Sequence, residues 1–182
     1  MIQKIMLIVA EDENHGVGYE GKIQWELPDE MKHFAVTTRG HTVIVGRKTY
    51  ETFTPPYQPL PKRYNIILTR NASYQPPNAN DKTYICTDYE DTIVLAKELS
   101  SENDIFIIGG PELYALALNH PTLKVDRLYI TTVHATFPAD AFFPGIDDPL
   151  NWREKTLEDH PADERHAYAY TVKQYDRLDF IM

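Results

Sequence analysis

Residues 105–119 read IFIIGGPELYALALN. Ile105–Ile108 is apolar throughout, as suits a strand covered on both faces, and Gly109-Gly110 ends it. Pro111 then stands where a helix would begin, because its missing N–H has no partner at the first helical position anyway. So Ile105–Gly110 is read as a buried strand and PELYALALN as a helix. Thr42–Phe53 (TVIVGRKTYETF) repeats that order: buried strand, Gly46, short helix. Ile5–Ala10 (IMLIVA), Tyr64–Arg70 (YNIILTR) and Thr83–Thr87 supply three more strands. DYEDTIVLAKELS supplies a helix, with Ile93, Leu95, Ala96 and Leu99 at roughly helical spacing. Beyond residue 126 the pattern changes. Arg127–Thr136, Trp152–Asp159 and Ala167–Arg177 alternate over longer runs with no helix between them, as antiparallel strands do. The expected fold is α/β, a mainly parallel twisted central sheet with flanking helices and antiparallel C-terminal strands.

A chain of 182 residues, 42% hydrophobic and 25% charged, fits one domain with a sizeable core. No internal repeat or low-complexity tract divides it. The formal charge of −9 argues against nucleic acid or an anionic membrane surface as partner. Cys86 is the single cysteine, so neither a disulfide framework nor a cysteine zinc site is expected, and in TYICT it reads as a small apolar residue. The apolar run near the N-terminus is too short and too early for a signal peptide, and no segment reaches membrane-spanning length. The expectation is a cytoplasmic protein.

Val17–Phe34 (VGYEGKIQWELPDEMKHF) carries the strongest chemical signal. It reads as a mobile polar loop, then Trp25, then a helix opening at Leu27-Pro28, with Glu30 in its first turn and Phe34 on the same face. A carboxylate among Trp25 and Phe34 would either neutralise or wait for a cationic ligand. Read alone, Glu30 is as easily a solvated first-turn acid favoured by the helix dipole. Just upstream, Gly16, Gly18 and Gly21 spell G-x-G-x-x-G. That motif lacks the immediate strand before it and the helix after it that a dinucleotide fingerprint needs, so the segment reads as a flexible loop. Glu11–Glu13 reads as solvated loop acid. FTPPYQPLPKR, with four prolines, reads as an extended surface loop.

The strand ends carry anion-ready groups. Arg47 and Thr49 follow Gly46, and Thr69 and Arg70 close YNIILTR. In an open α/β sheet ligands bind beyond the carboxyl ends of the strands, so these groups suit a ligand with separated phosphates, such as a dinucleotide with an extra 2′-phosphate. The adjacent Gly109-Gly110 permits backbone geometry, cis included, that other residues resist. There is no HExxH pair, no G-x-S-x-G, and no metal-ligand spacing around Asp147-Asp148.

GVGYEGKIQWELPDEM, TVIVGRKTYE, LPKRYNIILTR, IFIIGGPELY, RLYITTV and ADAFFP, in that order, resemble dihydrofolate reductases across essentially the whole chain. The resemblance implies an NADPH-dependent oxidoreductase that reduces dihydrofolate, binds antifolate inhibitors and acts as a monomer. It implies a cofactor adenosine-binding subdomain at roughly 41–100 within the single domain 1–182. It makes Glu30 the pocket carboxylate that binds the pterin and promotes protonation of N5, and Thr131 the hydroxyl bonded to it. Trp25 and Ile23 become the loop residues closing over pterin and nicotinamide. Met31, Phe34, Phe53 and Leu60 become walls of the substrate pocket, and Arg63 the grip on the substrate's glutamate carboxylate. Val9, Ala10, Ile108 and Tyr114 touch the two rings by the same implication. For the cofactor it implies Val17 and Gly18 in the loop, Gly46, Arg47, Lys48 and Thr49 at one junction, and Leu68, Thr69 and Arg70 at a second. Gly109, Gly110, Pro111, Glu112 and Leu113 form a third. Gln24 stands where the family commonly has Pro. Glu112 stands where several relatives carry a basic residue, and the FTPPYQP segment is a few residues longer than in compact bacterial members. Two alternatives remain, a riboflavin-pathway type of reductase acting on a pyrimidine and a non-catalytic nucleotide-binding module. Trp25 with Glu30, and Arg63, argue against the first, and Glu30 and Arg63 argue against the second.

Overall fold

Side chains of β1 (Ile5–Glu11) leave the strand alternately to two different cores, and this divides the molecule into layers. Ile5, Leu7 and Val9 enter one cluster with Ile44, Ile66, Ile93, Ala96, Leu113 and Ala117. Met6 and Ile8 enter the other with Val43, Val45, Ile67, Phe106 and Leu60, against which Phe34 and Phe53 pack. A strand covered on both faces must be apolar at every position, and that is how IMLIVA reads. The structure, a computed structural model, describes residues 2–179.

In chain order the elements after β1 are β2 (Gly16–Gly18), α1 (Pro28–Thr38), β3 (Thr42–Gly46), α2 (Arg47–Thr52), β4 (Tyr64–Leu68) and β5 (Thr83–Cys86). They continue with α3 (Tyr89–Leu99), β6 (Ile105–Ile107), α4 (Pro111–Asn119), β7 (Arg127–Val133), β8 (Ala141–Phe142), β9 (Trp152–His160) and β10 (Tyr170–Arg177), with one 3₁₀ turn at Pro149–Asn151. Eight strands form one sheet in the order β5-β4-β3-β6-β1-β7-β10-β9. Every pairing from β5 to β7 is parallel, while β10 pairs antiparallel with both β7 and β9. The expected architecture is therefore observed. Several strands stop short of their expected ends: the N–H groups of Thr69, Ile108 and His134 still donate to the carbonyls of Cys86, Ile44 and Ala169, and beyond them the chain leaves the ladder. No helix among the described residues is long and apolar enough to cross a membrane.

Two expectations need correction. The glycine-rich segment is not simply a flexible loop, because β2 pairs antiparallel with β8, matching Gly16 to Phe142 and Gly18 to Ala141. The proline-rich segment is not wholly at the surface either. Gln58, Pro59 and Leu60 are buried, and Gln58 donates from Nε2 to the Tyr50 carbonyl.

The order of strands also fixes where a ligand can enter. From β1 the chain passes over β6 to reach β3, whereas from β6 it passes over β1 to reach β7. The two connections leave this adjacent pair in opposite directions, which opens a crevice beyond their carboxyl ends.

Candidate active site

At that crevice β1 presents Ala10, one residue before its end, β6 leads into Ile108-Gly109-Gly110, and β7 places Thr131 in register with Ala10. Glu30 comes from the first turn of α1 and is only 6% exposed. Burial pushes its pKa from 4.5 up to about 7, opposed by a hydrogen bond from Thr131, itself buried. The solvated-acid reading of Glu30 does not hold.

Tyr114, on α4, is buried beside this carboxylate. Its hydroxyl donates to the Ile8 carbonyl at 2.8 Å, and burial together with the negative charge of Glu30 raises its pKa. Trp25 is buried with Leu27, Val133, Tyr170 and Val172, stands 5.4 Å from Phe137 between ring centroids, and has Ala10 packed against the same cluster. Ile23 and Met31 are exposed and, with Trp25, Leu27 and Pro28, line an open groove of about 420 Å³. Val9 and Ile108 are buried on opposite faces of the sheet.

The glycine junctions come together as a bare backbone surface. The Gly46 N–H donates to the Gly109 carbonyl at 2.8 Å, joining the ends of β3 and β6, and the Gly109-Gly110 peptide is cis. A Cβ on Gly110 would lie 2.8 Å from Thr49 Oγ1, and one on Gly109 would lie 3.1 Å from Tyr114 Oη. Gly109 also has φ +115°, a conformation that disfavours any side chain. Around this surface Arg47, Lys48 and Arg70 are exposed, whereas Thr69 is buried and Leu68 half-buried. Arg47 lies over the Tyr74 ring at 5.7 Å and 3.7 Å from Glu51. Pro111, Glu112 and Leu113 form the first turn of α4, Glu112 pointing to solvent and Leu113 into the core.

Arg63 is buried against the last turns of α1. Nε donates to Thr38 Oγ1 at 3.0 Å, one Nη to the Ala35 carbonyl at 3.0 Å, and the other Nη to the Pro61 carbonyl. A guanidinium has five N–H donors, so two, one on each terminal nitrogen, have no partner among the described residues. Those two N–H groups are what Arg63 has left to offer a carboxylate.

One group was misread in the sequence. Glu11 and Asp12 are buried, not solvated. Asp12 Oδ1 accepts from the N–H groups of Asn14 and Gly16, and Oδ2 from that of Phe137 at 2.9 Å. Glu11 contacts His15 Nδ1 at 2.9 Å. Asp12 thus ties the Val17–Gly18 segment to the chain that precedes β8. The spacing D-x-N-x-G was the available signal, since Asp accepts readily from N–H groups two residues on.

A family model described as dihydrofolate reductase matches residues 4–177. The chain belongs to the dihydrofolate reductase family. Dihydrofolate reductase of Lactococcus lactis subsp. lactis (strain IL1403) is 36% identical over 174 residues, covering 96% of this chain and 98% of that protein. The enzyme of Bacillus subtilis (strain 168) is 31% identical, covering 95% and 94% respectively. Among solved structures, dihydrofolate reductase from Enterococcus faecalis complexed with NADP(H) and RAB-propyl superposes with a TM-score of 0.80 at 31% identity, covering 97% of each chain. The family resemblance in the sequence, and the fold it implied, both hold.

Proposed function

We propose that this chain reduces 7,8-dihydrofolate to 5,6,7,8-tetrahydrofolate, with hydride from NADPH arriving at C6 and a solvent-derived proton at N5. The observation that carries the reading is Glu30, a carboxylate so well buried at the crevice that its pKa stands at about 7. Such a group can bind the 2-amino and N3 edge of a pterin when ionised and can favour proton delivery when protonated. Thr131 holds its oxygen in place. Trp25, with Ile23 above it, closes the loop side and excludes water.

The cofactor reading rests on the glycine surface. Because Gly109 and Gly110 carry no Cβ, Tyr114 and Thr49 can pack against this turn, and a flat ring would approach its backbone from the other side. Arg47, Lys48, Thr49, Thr69 and Arg70 would hold the phosphates, the segment 41–100 the adenosine side, and Val17, Gly18, Ala10 and Ile108 the nicotinamide side. When bound, NADPH supplies the hydride. Arg63 would take the carboxylate of the substrate's tail, with Phe34, Phe53, Leu60 and Met31 along the path to it. The enzyme is read as a cytoplasmic monomer.

The test is NADPH oxidation by purified protein, with and without dihydrofolate, then with methotrexate. Turnover that requires dihydrofolate and is blocked by stoichiometric methotrexate supports the reading. Folded protein that binds NADPH without turning over dihydrofolate overturns it. Turnover of an aminopyrimidine instead would point to the riboflavin-pathway type of reductase.

A further inference from the structure

At the N-terminal end of α1 the fold brings a helix residue against two histidines from the far end of the chain. Asp29 is the second residue of α1, His160 ends β9, and His166 lies in the β9–β10 connection. One ligand atom from each lies within 4.8 Å of the other two. Asp29 Oδ2 is 3.5 Å from His160 Nε2 and 3.7 Å from His166 Nε2. A tetrahedral ion with bonds of about 2.1 Å separates its ligands by about 3.4 Å, so two of the spacings already nearly match.

The hydrogen bonds on the far sides of the rings decide what those nitrogens can do. His160 Nδ1 lies 2.7 Å from the Pro161 carbonyl, and His166 Nδ1 lies 2.7 Å from Asp163 Oδ1. Both partners are acceptors, so each Nδ1 carries the proton in the neutral ring and each Nε2 presents a lone pair toward Asp29. A ring nitrogen donating to a carbonyl or carboxylate while its twin binds the ion is the usual outer arrangement of histidine metal ligands. His166 Nε2 now accepts from the Asp29 N–H at 3.1 Å. That donor belongs to the first turn of a helix, where water can replace the ring as its partner.

The rings are held for this geometry. His166 is fully buried, and His160 stacks on Tyr170 with centroids 4.7 Å apart and planes 6° off parallel. Arg165 Nη1 lies 3.4 Å from Asp29 Oδ1, which leaves Oδ2 facing the imidazoles. Asp163 Oδ2, 3.7 Å from His160 Nε2, or a water could fill a fourth position.

We propose that Asp29, His160 and His166 form a binding site for a divalent transition ion of the Zn²⁺ class, which fastens the β9–β10 connection to the start of α1. Two imidazoles and one carboxylate suit such an ion and do not suit Mg²⁺ or Ca²⁺, which take oxygen ligands. No local spacing signals this site, because Asp29 and His160 stand 131 positions apart.

The experiment titrates untagged, metal-free full-length protein with Zn²⁺ by calorimetry and with Co²⁺ by visible absorption. One equivalent of each should bind, with the intense absorption of four-coordinate Co²⁺, and Zn²⁺ should raise the thermal midpoint. His160→Ala, which leaves the His166 contacts to Asp29 and Asp163 in place, should weaken binding at least tenfold and remove the thermal shift. Asp29→Asn should weaken it too, and His15→Ala, at an exposed histidine elsewhere, should not. Failure of the wild type to bind Zn²⁺, unchanged binding by His160→Ala, or equal binding of Mg²⁺ would overturn the proposal.

Discussion

The Tyr114 hydroxyl donates to the carbonyl of Ile8, 106 residues away, and so bolts α4 to β1 close to the charge of Glu30. Both groups are buried, and no water is needed to satisfy either. Tyr114→Phe keeps the ring and deletes the donor, leaving a buried carbonyl unpaired at a cost of about 1–3 kcal/mol. Urea unfolding should show that loss, with the transition slope unchanged.

Glu30→Gln keeps the shape of the pocket and removes its charge. Hydride transfer measured in a single turnover near neutral pH should fall by roughly 10²–10⁴-fold, the usual range for positioned acid–base assistance. NADPH affinity should stay within about twofold. A fully active variant would remove Glu30 from the mechanism.

The same residue makes stability depend on pH. Burial raises the folded-state pKa of Glu30 from 4.5 to about 7, so the folded protein holds this proton more tightly than the unfolded chain does. Its contribution is fully present below about pH 4.5 and is lost as pH rises through about 7. The difference corresponds to roughly 3 kcal/mol. Against wild type, Glu30→Gln should therefore gain stability above pH 7, and the advantage should vanish towards pH 4.5. Denaturant titrations of both proteins across that window check the sign.

Gly110→Ala would set a methyl group 2.8 Å from Thr49 Oγ1. NADPH affinity should drop at least tenfold. Adding Thr49→Ala removes the atom that the methyl group meets, so the double variant should recover stability, while loss of the proposed Thr49 phosphate contact keeps NADPH affinity low. Paired melting curves and NADPH titrations separate the two.

Arg63→Lys retains the charge and loses the planar fork. The KM for dihydrofolate should rise roughly 10- to 100-fold, as expected for losing a charge-assisted hydrogen-bonded pair. A substrate analogue lacking the glutamate tail should show almost no difference between the two proteins.

Most of the scaffold was legible because strands buried on both faces are apolar without interruption, and Ile5–Ala10 or Thr42–Gly46 have no competing reading. Glycine and proline at residues 46, 109, 110 and 111 punctuated the helix starts correctly. What escaped is what tertiary contact decides. Asp12 looks like any loop acid until Phe137 and Gly16 point their N–H groups at it. The pairing of β2 with β8 joins two segments with little strand character of their own, and His166 gives no sign that it will meet Asp29. Even Glu30 could not be distinguished from a surface acid by helical position alone, and burial settles that question.

The bonds that hold Arg63 to Thr38, Ala35 and Pro61 bear on entropy as well as on position. A free arginine loses about 2 kcal/mol of rotamer freedom when it is immobilised by a ligand. Here the folding of α1 has already fixed the side chain, so a carboxylate arriving at the two remaining N–H groups meets a receptor with little freedom left to lose. Loosening that anchorage, for example with Thr38→Val, should weaken tail recognition although the altered residue touches no part of the substrate.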